Sequence, residues 1–501
     1  MFAGAAFTDS ADIKVDTEVV DTLVSLGVVN GYDDGSFKPN GTVTRAEMAK
    51  MIYVLRTGNS DASAYNDDKT SFTDIGSHWA RGYIKYCQSL GIIAGKSNTK
   101  FVPNEKVSAQ EAAKMLLVTL GYNAQKAGLV GTGWASKTNA LADEAGLLED
   151  VNTSFTAACP RQYAAQLIYN AIDAVTVAWR DDAYTKYNYN GSENKTIGEK
   201  YMGLNKTVGI LNDVTKDTDK NTYSLNVTIN TTESTGKKLD AFTKVTKDYS
   251  ALKYQKVKVL YKDTDEVYGV FALTDSNKVI NGLLGDFGTS SDKLKLNGTK
   301  YTVGTVTDSS DIGTAAGKIP QATADKTNLV KVDGSAVATN RNDLVKYVKS
   351  NVSGLAKAFD ASAISNSDNN KINLLDIKTF AIAQVTYVGK DYINVSYKNS
   401  SNTQSFDSKL KDDDAVWYNG IAKDDYVAVT KAVNTSADKI GVTKLDVVSG
   451  KITGTKNAIT ASDYKVTING TTYEMAGVTN SDAADLTLNA TVSIVVKGGY
   501  C

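Results

Sequence analysis

Within 501 residues there is one histidine, His78, with three cysteines and four prolines. A single histidine leaves almost no raw material for a histidine-centred triad or a zinc site, which weighs against most enzymes. Cys87, Cys159 and Cys501 are widely spaced and odd in number, with no CxxC, so no disulfide framework can be read. No run approaches the roughly 18 apolar residues of a membrane span. No C-terminal hydrophobic tail with a sorting motif is seen either. Attachment to any surface is therefore expected to be non-covalent. The net charge of −1 sets up no overall field, so neither nucleic acid nor a membrane is an expected partner. The start, MFAGAAFTDS, lacks the basic region and long apolar stretch of a signal peptide and reads as a mature N-terminus.

Arginine is scarce too, and unevenly spread. Five of the six (Arg45, Arg56, Arg81, Arg161, Arg180) precede residue 181, as do three of the four prolines. The remainder is rich in Thr, Asn, Ser, Asp, Lys and Val. A chain this long exceeds a single hydrophobic core, and the shift in composition implies two regions with different tasks.

The first region repeats internally. FTDSADIKVDTEVVDTLVSLGVVNGYDDGSFKPNGTVTRAEMAKMIYVL, from Phe7, aligns with FTDIGSHWARGYIKYCQSLGIIAGKSNTKFVPNEKVSAQEAAKMLLVTL, from Phe72, at an offset of 64 to 65 residues. A weaker third copy starts at Gly133. Each copy reads as a helix with apolar residues three and four apart, a glycine exit (Gly27, Gly91, Gly146), a loop, and a second helix. Phe37, Phe101 and Phe155 share one loop position and are expected to plug the space between paired helices. Thr44 and Ser108 each precede a glutamate by three residues, Glu47 and Glu111, which is capping-box spacing. Capping leaves Arg45 unexplained. A positive charge in the first turn opposes the helix dipole and asks for an anion nearby, either a carboxylate of the same chain or a bound one.

These copies resemble S-layer homology domains. Copy one has Phe7-Thr8-Asp9, the loop Gly27-Val28-Val29-Asn30-Gly31-Tyr32-Asp33-Asp34-Gly35-Ser36-Phe37-Lys38-Pro39-Asn40, and Thr44-Arg45-Ala46-Glu47. Copy two adds Phe72-Thr73-Asp74 and His78-Trp79-Ala80. The resemblance covers residues 7 to about 175. It implies a pseudo-threefold spindle with grooves between neighbouring copies that hold an anionic secondary cell-wall polysaccharide, commonly pyruvylated and linked to peptidoglycan. It also implies that the arginine of the TRAE motif contacts that ligand, since a planar guanidinium offers a ketal carboxylate two parallel N–H donors. On this reading Arg45→Ala weakens wall binding with little effect on folding. The binding residues are expected among Thr44, Arg45, Glu47, His78, Trp79, Ser108, Glu111 and Arg161. Two departures limit the carry-over: copy two has Ala109 at the arginine position, and copy three keeps Arg161 but lacks the glutamate.

From about Tyr201 the hydrophobic period changes to two, in stretches such as 257–261, 267–273, 293–303, 380–388, 392–397 and 464–475. Asn297-Gly298 and Asn469-Gly470 are strong hairpin turns. The stretch 313–328 is loop-like and 341–359 reads as a helix or helix pair. The chain stops straight after a strand, the pattern of a piece of a longer protein.

The fold class expected is multidomain α+β: an all-α three-repeat pseudo-trimer, then antiparallel β-sandwich or small-barrel domains. Its parts are repeats at 1–65, 66–125 and 126–180, a linker at 181–204, a β-module at 205–305, a connecting segment with a helix at 306–374, and a second β-module at 375–501. The function expected is that of a structural S-layer protein on the bacterial cell wall, outside the cell, whose β-domains self-associate into a lattice. A surface-anchored adhesin or glycan-binding protein is the alternative. An anchored polysaccharide hydrolase would need two positioned carboxylates in a cleft, and no such pair is recognisable. No cofactor is required; Ca²⁺ is the one candidate, at acidic turns such as Asp412-Asp413-Asp414, though none has EF-hand spacing.

Overall fold

The expected helix pairs form in the computed structural model as α1 (Thr17–Ser25) with α2 (Arg45–Thr57), α3 (Arg81–Ser89) with α4 (Ala109–Leu120), and α5 (Trp134–Glu144) with α6 (Arg161–Asp173). The structure describes residues 7–217, 219–291, 293–304, 329–338, 343–366, 370–398, 403–431, 439–476 and 484–501. Gly27, Gly91 and Gly146, just past the first helices, have φ of 69°, 70° and 71°, the left-handed geometry their position calls for. The first helices bury one stripe, Val19, Val20 and Leu23 in α1, and Ile84 and Cys87 in α3. The second helices are buried on nearly every side and form the centre.

Three short extended segments join the copies. Val107 N–H donates to Val43 O (3.0 Å), Val43 N–H to Cys159 O (3.0 Å), and Cys159 N–H to Val107 O (2.8 Å). This closed triangle of backbone hydrogen bonds places the weak third copy as an equal partner and gives the unit its pseudo-threefold axis. Val43, Val107 and Cys159 are all buried there. Burial pushes the Cys159 thiol up to about 12, so it acts as a small apolar residue at the axis.

The chain divides into two compact units. One reaches to Thr207 and takes in Ser234–Leu239 and Val259–Phe271; the other comprises Val208–Glu233, Asp240–Lys258 and Ala272–Cys501. In the first unit, residues 181–204 are built into the helical core rather than strung out as a tether. Ala178–Arg180 and Ala183–Thr185 form a hairpin, Thr196 and Glu199 form a capping box ahead of a short π-helical turn, and Ile197, Met202 and Leu204 are buried in the helices' apolar cluster.

The second unit is β-rich. Its period-two stretches form strands, and Asn297-Gly298 and Asn469-Gly470 turn hairpins with positive φ at both residues. A five-stranded sheet runs in the order Ser335–Ala338, Leu329–Val332, Leu374–Lys378, Asp360–Ser365, Lys278–Leu283. Segment 306–374 thus supplies strands as well as the helix α7 (Asp343–Asn351). A six-stranded sheet spans 381–444 and a four-stranded sheet spans 446–496, each over its own apolar cluster. Most pairings are antiparallel. Leu329–Val332 with Leu374–Ile377, and Ala415–Trp417 with Ile440–Val442, pair in parallel because the chain makes a crossover between them. The loop-like stretch 313–328 lies outside the described residues.

Candidate functional site

The loop of each matched copy is shaped by its own opening motif. Asp9 accepts from the backbone N–H groups of Phe37 and Lys38, both at 2.8 Å. Asp74 accepts from those of Phe101 (3.0 Å) and Val102 (2.8 Å). These bonds hold Lys38 and Val102 at φ of 56° and 59°, unusual for residues with a Cβ, and drive Phe37 and Phe101 fully into the core. Phe7 and Phe72 pack on them, each pair with ring centroids 5.4 Å apart. A Cβ at Gly31 would lie 2.7 Å from the Phe7 ring and one at Gly95 2.6 Å from the Phe72 ring, so these loops need glycine there.

Each second helix then docks its N-terminus against the next copy's loop. Arg45 N–H donates to Glu105 O and Ala46 N–H to Pro103 O; Arg161 N–H donates to Gly41 O and Gln162 N–H to Pro39 O; Gln110 N–H donates to Phe155 O. Helix N–H groups that have no acceptor within their own helix are thereby satisfied between copies. The Thr44–Glu47 and Ser108–Glu111 capping boxes are both formed. Thr44, Glu47, Ser108 and Glu111 therefore fix the helix starts that bring the arginine positions to these interfaces.

Arg45 crosses onto the second copy and is only 3% exposed. Its Nε donates to Phe101 O (3.0 Å) and its Nη2 to Ala94 O (2.6 Å), with the guanidinium 4.5 Å from the Phe101 ring centroid. Nη1 stands 4.0 Å from Glu111. The anion that a first-turn cation asks for is thus this carboxylate, and backbone carbonyls do the rest. Burial draws the guanidinium's pKa down, against the opposing pull of Glu111, Glu105 and Asp74. Lys96 bridges Glu105 (3.0 Å) and Glu111 (2.9 Å) beside it, so this interface is internally neutralised. A buried, doubly bonded guanidinium also holds two copies together. Its removal is expected to cost stability, where the sequence alone led us to expect little effect on folding.

Arg161 crosses from the third copy onto the first and is 8% exposed. Its Nη2 donates to Asn30 O at 2.7 Å, and its guanidinium lies 5.0 Å from the Tyr32 ring centroid and 5.1 Å from that of Phe37. Its buried Nε has no partner, and no carboxylate pairs with it among the described residues. Lys38, over the same Tyr32 ring at 4.1 Å, pairs with Asp34 at 3.3 Å. The third interface has Ala109 and no arginine. The two arginine sites differ at aligned loop positions, Tyr32 against Lys96 and Gly41 against Glu105, which sequence reasoning passed over.

His78 and Trp79 sit apart from both guanidinium contacts in bonding. Ala80 N–H donates to His78 Nδ1 (3.1 Å), leaving Nε2 to donate to Asn104 Oδ1 at 3.1 Å. The Trp79 ring is exposed, 5.5 Å from the His78 ring and 6.1 Å from that of Tyr83. Among the described residues no cluster of three or more His, Cys, Asp or Glu side chains is placed to hold a metal ion.

The S-layer homology domain model matches residues 6–49 and 71–113. A cell surface protein of Thermoanaerobacter kivui is 27% identical over 180 residues, covering 36% of this chain and 23% of that protein. A surface layer protein of Brevibacillus choshinensis is 31% identical over 125 residues, 25% of this chain and 11% of its own. A cellulosome-anchoring protein of Acetivibrio thermocellus is 28% identical over 110 residues, 22% of this chain and 25% of its own. The chain thus spans a quarter or less of each of these relatives. Motif and family match agree: the first two N-terminal repeats are S-layer homology domains, and the similar proteins indicate a surface protein associated with the bacterial cell wall.

Proposed function

We propose that the helical unit anchors the chain non-covalently to an anionic secondary cell-wall polysaccharide, and that the interface carrying Arg161 and Tyr32 is its principal groove. The observation that carries this is the contrast between the two guanidinium groups. Arg45 and Lys96 meet Glu105 and Glu111, so their charges cancel, whereas Arg161 meets no carboxylate among the described residues and keeps a buried Nε unbonded. A carboxylate reaching the edge of an unneutralised guanidinium would gain charge-assisted hydrogen bonds worth about 1.5–3 kcal/mol. A ketal carboxylate of a pyruvylated sugar suits the planar guanidinium, and the partly exposed Tyr32 beside it carries a second cation, Lys38, over its ring. The anchoring named in the cellulosome-anchoring relative and the surface location of the others support the same reading.

The β-rich unit is, in this proposal, the structural part, which self-associates into a surface lattice with Ca²⁺ as its candidate ion. Co-sedimentation of the full chain with bacterial walls before and after chemical removal of the polysaccharide tests the anchor. Binding is expected to intact walls and to be lost on stripped ones; equal binding to both would refute it. Electron microscopy of purified protein with and without a Ca²⁺ chelator tests the lattice: ordered sheets that chelation dissolves are expected, and persistent monomers would contradict it.

A further inference from the structure

Just past the third copy, three aromatic rings stand in solvent: Trp179 is 40% exposed, Tyr187 46% and Tyr189 90%. Large apolar side chains left out of a core at this density call for a reason. The backbone that carries them is tied down. The hairpin pairs Trp179 with Tyr184 and turns on Asp181 and Asp182, both with positive φ. Val177 N–H donates to Leu120 O (2.9 Å), and the chain passes so close to the end of α4 that a Cβ on Gly121 would lie 2.4 Å from Val177 O. Tyr184 packs between Tyr122 (ring centroids 4.6 Å apart, tilted) and Trp179 (4.8 Å, edge-on), and its hydroxyl accepts from Asn123 N–H at 2.8 Å. Beyond it, Asn188 Oδ1 accepts from Asn190 N–H and Ser192 N–H and closes the loop that carries Tyr187 and Tyr189.

Two cations sit on these rings. The Arg180 guanidinium lies 3.9 Å from the Tyr189 centroid and donates from Nη1 to Tyr187 O (2.9 Å); Lys126 Nζ lies 4.9 Å from the Trp179 centroid. Among the described residues, no carboxylate forms an ion pair with Arg180 or Lys126, while the neighbouring Lys186 is paired with Glu193 at 3.0 Å.

From this arrangement we infer that the hairpin and the loop after it are a second glycan contact, outside the repeat interfaces, that takes an acidic polysaccharide. The exposed rings pack on sugars of the polymer, with Arg180 beside Tyr189 and Lys126 beside Trp179 to meet its acid groups. A backbone tied down before binding loses little conformational freedom when a ligand arrives, and uncompensated cations beside the rings select an anionic polymer over a neutral one. The inference rests on the reading that an acidic wall polysaccharide is this chain's ligand class, and gives that ligand two separated footholds.

The test uses the full chain and polysaccharide released from bacterial walls, titrated before and after chemical reduction of its carboxyl groups. The double variant Trp179→Ala, Tyr189→Ala and the single variant Arg180→Gln are compared with Arg161→Ala, with thermal melts confirming that each is folded. Each hairpin variant is expected to lose affinity by about threefold to tenfold, and reduction of the carboxyl groups is expected to erase the Arg180→Gln difference. With Trp79, Trp134 and Trp417 changed to Phe, the fluorescence of Trp179 is expected to shift on adding polymer. Hairpin variants that bind as wild type, with Arg161→Ala defective, would overturn the inference and leave the groove standing. The reverse pattern would overturn the groove and uphold the hairpin. A hairpin defect toward whole walls that persists on stripped walls would show some other partner and overturn the inference.

Discussion

Arg45 and Arg161 occupy aligned positions, yet their surroundings assign them different work. Arg45 is bonded to two carbonyls of the next copy and buried, so Arg45→Ala leaves Ala94 O and Phe101 O without donors. We expect a loss of about 2–3 kcal/mol of stability, measured by chemical denaturation. Arg45→Lys should recover little, because an ammonium cannot reach both carbonyls from one planar group. An unchanged unfolding midpoint for Arg45→Ala would contradict this. The need for a partner at position 45 could be read from its place in a capped first turn. Where it reaches could not, because its acceptors are backbone carbonyls 49 and 56 residues away, and no side-chain identity marks them. Tyr32 and Lys96 were similarly silent: the repeat aligns them, but only the fold shows that each stands beside an arginine of the neighbouring copy.

Short motifs were the most readable elements because each encodes a local backbone geometry. The Asp of each opening motif, the loop glycines and both capping boxes act within about 30 residues. Thr44→Ala should therefore cost about 1 kcal/mol through the lost cap, seen as a lower unfolding midpoint. Acid sensitivity follows from the same bonds. Burial raises the Asp74 pKa, but backbone N–H bonds from Phe101 and Val102 outweigh it and leave the group below its ordinary value. Burial likewise acts on Glu111, and bonds from Ser108 N–H and Lys96 outweigh it. A carboxylate depressed in the folded state contributes stability that is present above its unfolded pKa and lost as pH falls through the folded one. The helical unit should thus melt progressively lower below about pH 4, and Asp74→Asn should flatten that fall. A pH-independent midpoint down to about pH 3 would contradict the assignment. The hairpin at 178–185 was missed because Asp-Asp is an uncommon pair for a turn with two positive φ values, and the Thr196–Glu199 box was overlooked although its spacing matches the other two. The pairing of Lys278–Leu283 with Asp360–Ser365 was out of reach for a different reason: register across some 80 residues is fixed by a shared core, which no local pattern reports.

The split in arginine, proline and period foreshadowed two units, but the helical unit extends past residue 180, since Ile197, Met202 and Leu204 fill its core. Dissection of the chain should respect that. Ile197→Ala is expected to destabilise the helical unit by about 2–4 kcal/mol, which a linker residue would not do. A cut at residue 180 should expose the same core, so wall binding is best measured on the full chain. The central claim is that an unneutralised guanidinium between the third and first copies holds an acidic wall polymer. Its most direct test is the affinity of the full chain and of Arg161→Ala for polysaccharide-bearing walls, with unfolding midpoints measured in parallel. The account predicts an affinity loss of about 1.5–3 kcal/mol, the worth of hydrogen bonds to a charged group, a smaller loss for Arg45→Ala once corrected for its unfolded fraction, and no difference on stripped walls. Arg161→Ala that is folded and binds intact walls as tightly as wild type would contradict it.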